Sequence, residues 1–147
     1  MHSKLIHNAD GQQTYAVILE TGDEVIAALK AFAQDNNLTA ASFKAIGAFS
    51  GAELAFFDWE KKDYLPIPVD EQVEVASLTG DIAIDHDGKP AVHVHAVLSR
   101  RDGSAVAGHV QSGIVRPTLE VILTEAPTHL RKRFDAETGL AFIDTER

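Results

Sequence analysis

The chain has no cysteine, one methionine and one tryptophan in its 147 residues. Without thiols there are no disulfides, no cysteine zinc ribbon and no thiol nucleophile. That lack fits a reducing compartment, and the cytoplasm is the expected location. No apolar run is long enough to cross a bilayer as a helix. The opening "MHSKLIHNADGQQ" has no apolar signal core. Basic residues are scarce: 13 Lys and Arg stand against 22 Asp and Glu, a net charge of −9. Such an excess repels nucleic acid and anionic lipid unless the basic residues cluster. Only Lys61-Lys62, Arg100-Arg101 and Arg131-Lys132-Arg133 are adjacent. Phosphate-binding loops of the Walker or GxGxxG type and the GxSxG nucleophile turn are also absent.

What is present is 45% hydrophobic, enough for one domain that buries roughly two-thirds of its unfolded surface. Residues 1–13 read as an N-terminal arm, 14–126 as the domain and 127–147 as a polar tail. "TYAVILE" (14–20) is rich in β-formers and reads as a strand. Thr21 and Glu24 have the spacing of a capping box. After them Val25, Ile26, Leu29, Phe32 and Ala33 line one face of a helix, and Asn36-Asn37 suits its end. Two strand-like runs follow, split at Ser50-Gly51. "EKKDYLPIPVDE" reads as an extended connection because Pro66 and Pro68 disfavour helix. "QVEVASLTGDIAID" is a strand and "HDGKP" a turn. "AVHVHAVLS", "SAVAGHVQ" and "TLEVILTE" complete the strands, and the tail is expected to form a short helix on which Arg131, Lys132 and Arg133 are solvated. The expected class is α+β: six or seven strands, mainly antiparallel because the connections are short, with one main helix.

Three of the seven histidines fall in "HVHAVLSRRDGSAVAGH". His93 and His95 are two apart on a strand and share a face. A two-residue turn at Asp102-Gly103 would set His95 opposite Val110 and send His109 to the other side. A three-residue loop of Arg101, Asp102 and Gly103 sets His95 opposite His109. That loop wants a left-handed residue at its third position, usually glycine, and Gly103 stands there. Local chemistry therefore favours the register that gathers His93, His95 and His109. Ala91, Val97, Ala105, Ala107 and Gln111 share their face and leave room above them. A single histidine on a strand is usually a hydrogen-bonding surface residue. Three on one face make a facial set of neutral nitrogen ligands for a divalent ion, with a position left open. His2, His7, His86 and His129 read as solvated. A cupin reading of His-x-His expects a glutamate where Ser99 and Arg100 stand. Arg116 and Glu120 are candidates to serve a site near the histidines.

"SFKAIGAFSGAELAFFD", "VEVASLTGDIAI", "KPAVHVHAVLSRRDGSAVAGHV" and "PTLEVILTE" resemble, in order, the PPC (plants and prokaryotes conserved) domain family. The most specific marks are H-x-H, D-G and G-H, with "SLTG" (77–80) and Gly47 in support. The resemblance implies a mainly antiparallel sheet with few helices, similar to the acetolactate decarboxylase fold, and a homotrimer. It also implies a divalent metal, zinc above all, on His93, His95 and His109. Bacterial members are often labelled DNA-binding, but the basic Arg-Gly-Arg-Pro hook that accompanies the plant domain is missing here. Two functions compete: an oligomeric binding module with a structural or ligand-sensing metal, and a metal-dependent enzyme for a small carbonyl or carboxylate compound. Direct DNA binding is expected to be weak or nil on charge.

Overall fold

The computed structural model describes residues 1–146. One helix and nine strands follow the order β1 (His2–Ala9), β2 (Gln12–Glu20), α1 (Val25–Asp35), β3 (Ala40–Asp58), β4 (Asp63–Val69), β5 (Val73–Ile84), β6 (Pro90–Ser99), β7 (Ala105–Glu125), β8 (Arg131–Asp135) and β9 (Leu140–Asp144). Pairing is antiparallel except for one parallel bridge, Ile84 with Arg131, between β5 and β8. β3, β5, β6 and β7 pair in a closed ring. α1 packs against β6 and β7, and its buried residues are Val25, Leu29, Phe32 and Ala33. They join Val17, Leu19, Phe49, Leu78, Leu98 and Leu119 in one apolar core.

The helix starts three residues later than the expected capping box places it. Glu24 is the N-cap, and its carboxylate accepts from the N–H groups of Ile26 and Ala27. It also accepts from Gly113 N at 3.1 Å, which ties the helix to β7. The Thr21 hydroxyl instead donates to the Pro117 carbonyl. A carboxylate reaches further than a hydroxyl, so it satisfies two orphan N–H groups and a strand at once.

The strand count exceeds the expected six or seven, for three reasons. The N-terminal residues pair along β2 as β1. The proline stretch is β4, an edge strand paired only with β3, with Pro66 opposite Ala55 and Pro68 opposite Glu53. Proline is tolerated there because one side of an edge strand needs no N–H. Among its described residues the tail forms no helix: β8 and β9 make a hairpin, and the Asp135 carboxylate accepts from Thr138 N in its turn. Conversely, β3 does not stop at Ser50-Gly51. The register shifts there, and bulges let a long strand bend rather than break. β7 likewise runs through Pro117, which lies in a gap of the ladder to β3 between Val115 and Leu119.

Candidate metal centre

The hairpin from β6 to β7 closes through the three-residue loop. Arg100 N donates to Ser104 O at 2.8 Å, and Gly103 N to Arg100 O at 2.9 Å. Gly103 has φ +82°, the left-handed conformation that this loop demands of its third residue. The Asp102 carboxylate accepts from both the amide and the hydroxyl of Ser104. This register places His95 opposite His109. On the opposite face Val94, Ala96, Leu98 and Val110 are buried in the core, so a slip by one residue would put apolar side chains in water.

The three imidazoles converge. One ring nitrogen from each of His93, His95 and His109 lies within 4.8 Å of the others. His93 and His95 meet edge to face, and His93 and His109 are tilted at 32°. The Tyr64 ring of β4 stacks on His109 at 4.7 Å between centroids. Nδ1 of His109 is buried with no hydrogen-bond partner. Burial, then the neighbouring charges of His93, His95 and Lys132, lowers the His109 pKa from 6.5 to about 4. Burial and His93 also lower that of His95. At neutral pH both rings are therefore uncharged, with a lone pair available. The donor set suits a divalent cation of the nitrogen-binding kind.

Two further residues organise the cluster. Nδ1 of His93 lies 3.2 Å from Oδ2 of Asp81, and the register sets these residues opposite each other on β5 and β6. A carboxylate behind an imidazole fixes its tautomer and turns the other nitrogen outward. Oδ1 of Asp81 lies 3.0 Å from Nζ of Lys132, whose side chain is only 9% exposed. Burial pushes the Asp81 carboxyl up, but His93 and Lys132 outweigh it and hold the pKa below the usual value. Lys132 is thus no solvated helix residue. The β8–β9 hairpin carries it over the histidines, where a cavity of about 460 Å³ is walled by His93, His109, Tyr64, Lys132 and the apolar stretch Leu140 to Ile143. His95 closes the cluster from the other side, beside Thr79 and Ala107.

Other candidates lie elsewhere. Glu120 is opposite Ile46 and Ile18, far along β3 from the Ala55–His109 pair, and neither it nor Arg116 borders the histidine cavity. His129 meets the Thr39 hydroxyl at 2.7 Å. Sequence reasoning missed Asp81, Lys132 and Tyr64. Asp81 did carry a signal: closing the "HDGKP" turn with Ile84 opposite Pro90 puts Asp81 opposite His93.

A ring of antiparallel strands backed by one helix, with three histidines meeting across a hairpin, defines a class of small β-rich proteins with a candidate nitrogen-ligand centre. The family model of the Plants and Prokaryotes Conserved domain matches residues 6–127, and the chain belongs to that family. A plant- and prokaryote-conserved protein from Pyrococcus horikoshii is 27% identical with a TM-score of 0.84, covering 97% of this chain and 94% of that one. A Ralstonia eutropha JMP134 protein with a provisional DNA-binding label is 30% identical with a TM-score of 0.82, over 88% of this chain and 90% of that one. A metal-containing protein from Archaeoglobus fulgidus is 26% identical with a TM-score of 0.82, over 97% and 98%. The fold alone is shared with a Staphylococcus aureus protein described as similar to alpha-acetolactate decarboxylase: 16% identity and a TM-score of 0.55, over 79% of this chain and 53% of that one. Among curated proteins none matches this sequence.

Proposed function

We propose that this chain is an oligomeric metal-binding module in which His93, His95 and His109 hold one divalent ion, zinc by preference. The convergence of three imidazole nitrogens within 4.8 Å carries the reading. The buried, unpartnered Nδ1 of His109 supports it, because a buried polar atom without a partner is costly unless something fills the place. The metal-containing relative from Archaeoglobus fulgidus points the same way. When bound, the ion supplies Lewis acidity at an open position. Asp81 orients His93, Tyr64 shields one face of His109, and Lys132 balances the Asp81 charge. Elemental analysis of the purified protein tests the reading. About one divalent ion per chain is expected, and a metal-free protein that takes up none from solution would overturn it.

A second reading, a metal-dependent enzyme for a small carbonyl or carboxylate compound, is favoured by one observation. Tyr64 and Lys132, both with titratable side chains, also line the cavity beside the histidines.

The DNA-binding label of relatives does not transfer on physical grounds. Duplex binding gains affinity as Lys and Arg displace counterions, and this chain carries −9. Several of its cations are also engaged: Arg100 with Glu71, Lys61 with Asp58, Lys132 with Asp81 and Arg133 with Glu146. The assembly is proposed as a homotrimer. Exposed Ile46, Ile122 and Ile114 on the long strands offer apolar surface for it. Sedimentation with labelled duplex at ~0.15 M salt checks both. A trimer without co-sedimenting DNA is expected. A monomer at micromolar concentration refutes the assembly, and sequence-selective sub-micromolar binding refutes the charge argument.

A further inference from the structure

The charges around the histidines nearly cancel before any ion is added. The three ligand candidates are neutral nitrogen donors. Asp81 and Lys132 offset each other at 3.0 Å. A divalent ion on His93, His95 and His109 would therefore keep its whole charge in a partly enclosed site. Structural sites that bind such an ion usually balance it with thiolates or carboxylates, and here none lies in the ligand cluster. The balance must come from what enters the cavity. The cavity wall combines two chemistries: the polar side chains of His93, His109 and Lys132, and the apolar ones of Leu140, Phe142 and Ile143. A volume of about 460 Å³ is at the small end for ligand sites.

We infer that this cavity binds a small monocarboxylate with an apolar body, its carboxylate at the His93–His109 ion and Lys132, and its body against β9. The inference rests on the metal reading above. A phosphate monoester fits less well, because its several terminal oxygens favour several convergent donors. The cavity wall offers one lysine amine, no guanidinium and no helix N-terminus.

The test is calorimetric titration of the zinc-loaded protein with benzoate, benzamide and phenyl phosphate, with zinc content measured on the same sample. Benzoate is expected to bind at least about tenfold more tightly than its neutral isostere benzamide, and more tightly than phenyl phosphate. Compared at matched zinc loading, Lys132→Gln should weaken benzoate about tenfold, and Lys132→Arg should restore most of it. Equal binding of benzoate and benzamide by zinc-loaded protein would overturn this inference and leave the metal reading standing. Tighter binding of phenyl phosphate, or indifference of benzoate to Lys132→Gln, would overturn it too. Failure of the wild-type chain to take up zinc would overturn the metal reading, and this inference with it. Thermal melts of the Lys132 variants separate lost binding from lost fold, and a Lys132→Gln protein that melts normally yet binds benzoate as before counts against the proposal.

Discussion

Replacing His109 by Ala is expected to lower divalent-ion affinity by at least about a hundredfold while the fold survives. Loss of a group that only orients a ligand typically costs 10–100-fold, and loss of one of three ligands should cost more. Asp81→Asn provides that comparison: it keeps the shape behind His93 but removes the charge, and roughly tenfold is expected. Competition against a chelating dye, with sedimentation as the check on folding, reads both variants. Full ion occupancy in His109→Ala would sink the proposed site. The fold should persist because the histidine face is distinct from the core face, where Val94, Leu98 and Val110 are buried.

His109 also predicts a pH dependence for the metal-free protein. Its pKa is about 4 in the fold and 6.5 in the ordinary state. Between those values the unfolded chain holds a proton that the folded chain does not. Stability is therefore highest above the ordinary value and falls as pH drops through the window, becoming flat again below about 4. His95, lowered in the same direction, adds to the slope. In His109→Ala the acid loss should be shallower, because one of the two depressed groups is gone. Bound zinc should steepen the dependence, since the ligands must stay unprotonated.

The parts of this molecule legible in the sequence are those fixed by local chemistry. Gly103 after Asp102 selects the three-residue loop, and that loop sets the register that brings His109 to His95. The helix was readable because Val25, Leu29, Phe32 and Ala33 recur at helical spacing and are buried. What escaped was decided by distant partners. Lys132 sits in a run of three cations that reads as a wet helix face, yet its amine is drawn down by Asp81, about fifty residues earlier. "RKRFD" and "LAFID" are short and half polar, and they become strands by pairing with each other. Tyr64 lies in a proline-bearing stretch that has strand character only as an edge beside β3. In sequence the two long strands look interrupted at Ser50-Gly51 and between Gln111 and Thr118, because a bulge and a chain break look alike until the partner strand is known.

The substitution expected to damage both fold and site is Gly80→Ala. Gly80 lies on β5 opposite Val94, between the residues opposite His93 and His95. A Cβ there would press into the His93 carbonyl oxygen and the Phe43 ring, closer than real Cβ atoms approach their neighbours. The ring can turn only against its own core neighbours, since Phe43 is buried. The carbonyl belongs to β6 and can move only with the strand. Overpacking of this kind costs about 1–3 kcal/mol and more when backbone must shift, so a loss of ~3 kcal/mol or more is expected. For a domain of this size that is roughly 6–12 °C in Tm. Gly103→Ala is the contrast: nothing lies within 4 Å of its Cβ, and only the φ of +82° is strained, at about 1 kcal/mol. The two variants should also part in ion binding. Gly80→Ala displaces the strand that carries His93 and His95 and should weaken zinc even in the fraction that remains folded. Gly103→Ala should leave zinc affinity within a few-fold, provided the loop keeps its three-residue register. Melting curves and zinc titrations on the pair decide it. A Gly80→Ala protein that melts within about 2 °C of the parent, less than a 1 kcal/mol change would give, would show that β5 and β6 can separate there at little cost. The strand pairing that holds Asp81 against His93 would then be far softer than this packing implies.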